Sequence, residues 1–127
     1  MKIEGLESFK NIKIVDYPII SAELDPEEKA FTIELEGCAI KEGNEIAYYG
    51  PGFITFYDWD TFSFLRLVEG KLEVDTDIEP FDEITKREFD GDWVILGGYA
   101  MDDWCEYRIK SPKIRGQFAL DEIRDPS

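Results

Sequence analysis

Ala30-Phe31-Thr32-Ile33-Glu34-Leu35-Glu36 sets Phe31, Ile33 and Leu35 at every second position, with Thr32, Glu34 and Glu36 between them. Side chains of a strand alternate between its two faces, so this spacing predicts a strand with one face buried and one in water. Cys105 to Lys110 repeats the pattern: Cys105, Tyr107 and Ile109 alternate with Glu106, Arg108 and Lys110. Ile114, Phe118 and Leu120 extend it once more, and Gly116 on the same side leaves room for a neighbour or marks a bulge.

Other stretches are apolar on both faces. Phe53–Tyr57, Phe62–Val68 and Trp93–Leu96 suit central strands covered on both sides, or a surface held for a partner. Between them lies turn chemistry. Glu69-Gly70 predicts a tight hairpin joining Leu65–Val68 to Lys71–Asp75, and Asp90-Gly91 another joining Arg87–Phe89 to Trp93–Leu96. Gly50-Pro51-Gly52 breaks Glu45–Tyr49 from Phe53–Tyr57, and Ser111-Pro112 separates the last two strands. Asp25-Pro26-Glu27-Glu28 reads as a β-turn, and Pro80 to Lys86 has room for one helical turn. Short strands with frequent turns predict a mostly β fold: one hairpin-rich domain over 1–127, an antiparallel sandwich or partly open barrel. Short loose ends are expected at 1–8 and 121–127.

The charge is lopsided. Among 127 residues, 29 acids face 14 bases and no histidine, for a formal net charge of −15. Such a field repels nucleic acid and anionic lipid, both of which need a cationic footprint, and it attracts a basic partner protein. No run approaches the roughly 18 apolar residues that span a bilayer. Met1-Lys2-Ile3-Glu4-Gly5 begins no export signal, so the expected compartment is cytoplasmic, with Cys38 and Cys105 as reduced, buried thiols.

Without histidine the commonest general base and metal ligand is missing, and so are the Ser-His-Asp and Cys-His arrangements. No phosphate-loop or dinucleotide fingerprint is present. No cofactor, metal or catalytic residue is therefore assigned. Asp75-Thr76-Asp77-Ile78-Glu79 offers oxygens at alternate positions, but it lacks the glycine and closing glutamate of a calcium loop.

Asp58-Trp59-Asp60 and Asp102-Asp103-Trp104 each set acid beside a tryptophan at a strand end. Read functionally, they are aromatic anchors ringed by carboxylates, fitted to an Arg- or Lys-rich partner, with Asp75, Asp77 and Glu79 steering its approach. The plainer reading packs each indole under a loop with its N–H bonded. Tyr48 and Tyr49 are candidates for the same surface, and Trp93 is expected in the core. Arg108, Lys110, Lys113 and Arg115 form a basic tail, expected to pair across strands with the acidic Leu72–Asp92 region.

In size, acidity and β content the chain resembles many bacterial immunity and inhibitor proteins, which cover the working surface of a toxin. That resemblance implies a protein-binding module with a basic partner. The alternatives are a binder of carbohydrate-like small ligands that stack on Trp59 and Tyr57, or a carboxylate-based hydrolase. Self-association through the two-faced apolar strands is a fourth.

Overall fold

The computed structural model describes residues 1–119 and, for the backbone, 123–126. Three antiparallel sheets account for most of it. The first has β1 (Lys2–Glu4), β13 (Lys113–Phe118), β7 (Gly52–Tyr57), β4 (Ala30–Leu35) and β3 (Ile19–Asp25), side by side in that order. The second orders β10 (Lys86–Asp90), β11 (Trp93–Ala100), β12 (Asp103–Lys110), β8 (Thr61–Val68) and β9 (Lys71–Val74). A smaller third sheet orders β14 (Ile123–Pro126), β6 (Glu45–Tyr49), β5 (Cys38–Glu42) and β2 (Ile12–Lys13).

The alternation read from the sequence places the core. Phe31, Ile33 and Leu35 of β4 are fully buried, as are Cys105, Tyr107 and Ile109 of β12. The two inner faces meet through aromatic rings. Tyr107 lies 4.7 Å from Phe31 of the first sheet and stacks at 4.2 Å on Phe81. Its hydroxyl donates to the Glu79 carbonyl, so the one polar atom of this central ring is bonded. Cys38 and Cys105 are free, buried thiols, as expected, and burial pushes the Cys38 thiol up to about 12.

Turns follow the predicted chemistry with one shift. Glu69 and Gly70 both take positive φ, 50° and 82°, and close β8 onto β9 in two residues. At the β10–β11 turn Asp90 is still paired with Trp93, so the turn residues are Gly91 and Asp92. Gly91 takes the left-handed φ of 57° at the first turn position. The four residues 26–29 form the β3–β4 turn, with the Asp25 carboxylate accepting the Glu28 N–H.

Two expectations are corrected. The amino terminus is not loose: β1 pairs with β13, a short helix α1 (Gly5–Lys10) follows, and Ile3 and Phe9 are fully buried. Arg87 of β10 fixes that helix by donating to the Phe9 and Ile12 carbonyls at 3.0 and 2.7 Å. Nor does Pro80–Lys86 hold a helical turn. There the Asp82 N–H donates to the Tyr99 carbonyl and the Thr85 N–H to the Gly97 carbonyl, which ties a bent loop to β11 while Phe81 and Ile84 enter the core. At the carboxyl end Ile123–Pro126 pairs with β6, while Leu120, expected on the last strand, and the remaining residues of the expected loose end lie outside the described residues. Among the described residues no helix is long and apolar enough to cross a membrane.

Candidate functional site

The nine residues singled out in the sequence do not form one patch. Asp60 adjoins Lys110 at one end of β12, its N–H donating to the Lys110 carbonyl, whereas Asp103 opens β12 at the other end. At the usual rise per residue the strand between them is about 23 Å long. Trp59 is 8% exposed, belongs to the hydrophobic core and packs 5.8 Å from Phe62. This corrects the anchor role assigned to it: a core ring offers no contact surface. Among the described residues its indole N–H has no partner, so the bonded N–H of the plainer expectation is not found there. Asp58 is bonded to Lys113 at 2.9 Å, and that bond with the lysine's charge lowers its pKa.

At the opposite end the structure gathers the remaining acids. Arg66, on β8, reaches three carboxylates: Asp75 at 2.8 Å, Glu79 at 3.1 Å and Asp103 at 3.2 Å. The hydrogen bond from Arg66 is the chief cause that holds the Asp75 carboxyl below its ordinary range, helped by the Asp77 N–H. Oxygens that a calcium loop would turn on a cation are thus already turned on a guanidinium. The cluster abuts the β11–β12 turn, where Met101 and Asp102 both take positive φ and Met101 is 77% exposed.

The tip leads onto the outer face of the second sheet. Residues directly opposite on neighbouring strands share a face. One row therefore crosses all five strands as Val74, Leu65, Glu106, Gly97 and Lys86. The next row towards the tip pairs Leu72 with Leu67 and Trp104 with Tyr99. Leu67, Leu72, Val74 and Tyr99 are exposed large apolar side chains. Trp104 is half-buried. Its indole lies flat over Gly97, where a β-carbon would sit 2.5 Å from Cζ2, and Tyr99 meets it edge-on at 5.3 Å. In the opposite direction the next row is mixed, with Ser63, Arg108 and Glu88 around a buried Ile95.

Glu106 holds this face together. It is buried, and its carboxylate accepts from the Trp104 indole N–H at 3.0 Å and from Arg108 at 2.8 Å, with Lys86 at 3.5 Å. Burial alone would raise its pKa, but the bonds from Trp104 and Arg108 and the two nearby cations outweigh it, so the pKa is lowered. A hydrolase's proton donor needs the reverse shift.

Other assignments also move. Trp93 is half-buried near the β10–β11 turn rather than in the core. Tyr48 and Tyr49 lie half-buried on β6, in the third sheet and away from the second-sheet face. Of the two rings proposed to stack on a sugar, Trp59 is buried, while Tyr57 is half-buried, carries the Arg115 guanidinium at 4.6 Å and lines a shallow cavity with Glu4, Leu6 and Lys113. Among the described residues the basic tail forms no ion pair with the Leu72–Asp92 region, although the Ser111 N–H donates to the Asp92 carbonyl: Arg108 pairs with Glu106 on its own strand and Lys113 with Asp58. The strand order explains this, because β12 sits between β8 and β11 while β13 belongs to the other five-stranded sheet.

Arg66, Glu106 and the Leu67–Leu72 row were passed over in the sequence reading. Parity across the Glu69-Gly70 turn carried the signal for the row: two residues of turn put Leu65 and Leu67 on the same face as Leu72 and Val74. No protein family, curated protein or solved structure matches the chain.

Proposed function

We propose that this chain is a protein-binding module of the immunity or inhibitor kind, which holds a basic partner on the apolar end of the second sheet's outer face. The observation that carries the reading is the exposed row of Leu72, Leu67 and Tyr99, continued by Val74 and Met101 and backed by Trp104. An apolar sheet face of this kind fits the flat contact of a protein partner better than the enclosed pocket of a small ligand. Beside it stand Asp75, Asp77, Glu79, Asp102 and Asp103, three of them gathered on Arg66, and the whole chain carries −15. Those charges act at a distance and steer encounter, while the apolar row sets how long the complex lasts.

The test is affinity capture from the host's own lysate with three baits: the native chain, the Leu67→Lys/Tyr99→Lys double variant and Phe53→Lys, whose site is on the other five-stranded sheet. A stoichiometric basic protein held by the native chain and Phe53→Lys, and lost by the double variant, is the expected result. Equal retention by all three would remove the binding role from this face. Retention of no basic partner at low or moderate salt would remove the module reading itself.

A further inference from the structure

We infer that β9 is a self-pairing edge, through which two copies of this chain join by antiparallel pairing of β9 with β9 about a twofold axis at Leu72. This goes beyond the proposed partner face, because it uses the edge of the sheet and leaves the outer face open.

An unpaired strand edge is a template for another chain unless something blunts it. Other edges of the five-stranded sheets are blunted. On the first sheet β3 carries a register shift between Ile19 and Ser21, and β1 is three residues long. On the second sheet β10 presents Lys86, Arg87, Glu88 and Asp90. β9 is also short and carries Lys71 and Glu73, but these charges are opposite in sign and two positions apart, so a second copy in antiparallel register can neutralise them; all four of its residues are exposed, and among the described residues only β8 pairs with it.

The hydrogen-bond phase fixes which groups are free. The two-residue turn makes Val68–Lys71 a bonded pair, and alternation then directs the N–H and C=O of Lys71 and Glu73 towards β8. The Asp75 N–H, donated to the Phe64 carbonyl, continues the same phase. Leu72 and Val74 therefore turn their backbone groups outward.

Charge then selects the register. With Leu72 opposite Leu72 of the second copy, Lys71 faces Glu73 twice, and opposite charges directly across a strand pair attract. A twofold axis at Glu73 sets that glutamate against itself, and the Lys71–Asp75 pairs it would also form meet a carboxylate already bonded to Arg66 at 2.8 Å; an axis at Val74 sets Glu73 against Asp75. The axis at Leu72 pairs opposite charges with no like-charge contact, as a self-complementary isologous interface requires. It also extends the Leu67–Leu72 apolar strip across the axis into the second copy. The net charge of −15 on each copy opposes the union, so salt that screens it tightens the dimer.

Sedimentation equilibrium on the full chain tests this, at protein concentrations up to about 1 mM and in NaCl from about 20 to about 500 mM. A monomer–dimer equilibrium that tightens with salt is expected. Leu72→Pro deletes an N–H that β8 does not use, so the native circular dichroism spectrum stays while dimerisation weakens by at least about tenfold. Lys71→Glu weakens it by about tenfold, and Lys71→Glu/Glu73→Lys restores it to within about threefold, because the swapped pair regains its complement. A chain that stays monomeric throughout overturns the inference. So does a dimer indifferent to Leu72→Pro, or a charge swap that rescues nothing.

Discussion

The outer faces of the two five-stranded sheets are built on the same alternation and finished differently. On the first sheet the middle row runs Glu23, Thr32, Thr55, Arg115 and Glu4. Thr32 and Thr55 share a hydrogen bond at 2.9 Å, and every side chain of the row is polar. On the second sheet the corresponding row holds Val74, Leu65 and a buried glutamate, and the row beside it is apolar from Leu72 to Tyr99. Inward, both sheets bury aromatic and aliphatic side chains in one common core. The difference teaches that the inner faces make the fold, while the asymmetry between the outer faces is what the proposed partner surface rests on.

Breaking the shared interior should have the largest effect. Tyr107→Ala removes the ring on which Phe31, Phe64 and Phe81 converge. A loss of about 3–5 kcal/mol is expected, read from urea denaturation followed by circular dichroism. A loss under about 1 kcal/mol would mean that the sheets do not meet there.

Glu106 sharpens the comparison, since the first sheet has no counterpart. Glu106→Ala is expected to lower stability by about 2 kcal/mol at neutral pH, because the Trp104 N–H and the two cations lose their acceptor. With its folded pKa lowered, Glu106 contributes stability above the ordinary glutamate value, about 4.3, and loses it as the pH falls through the folded pKa. The gap between the native chain and Glu106→Gln should therefore be constant above about pH 5 and shrink below about pH 4. A gap that widens with acid would reverse the assigned sign.

The smallest effect on stability belongs to the outer row. Leu67→Lys/Val74→Lys should leave the denaturation midpoint nearly unchanged, within about 0.5 kcal/mol. It should still lower the fluorescence of added anilinonaphthalene sulfonate, whereas Phe53→Lys on the first sheet should change that signal little. Equal losses from both variants would erase the distinction between the faces.

Much of this was legible in the chain itself. Period-two alternation in Ala30–Leu35, Cys105–Lys110 and Ile114–Phe118 determined strands and inward faces, because burial of one face admits one phase only. Glu69-Gly70 determined a hairpin, because a two-residue loop needs positive φ. Helix α1 was not legible: six residues are too few to show a period, and Arg87, far along the chain, holds its last carbonyls. The site was legible only in part. Local sequence names Asp75, Glu79 and Asp103 as acids, but their meeting on Arg66 depends on β8 lying between β9 and β12. Trp59 and Trp104 look alike in sequence, each beside acids at a strand end. Tertiary packing separated them, sending one ring into the core and laying the other over Gly97 on an open face, because which sheet faces receive a cover is decided by strand order and layer packing rather than by local sequence.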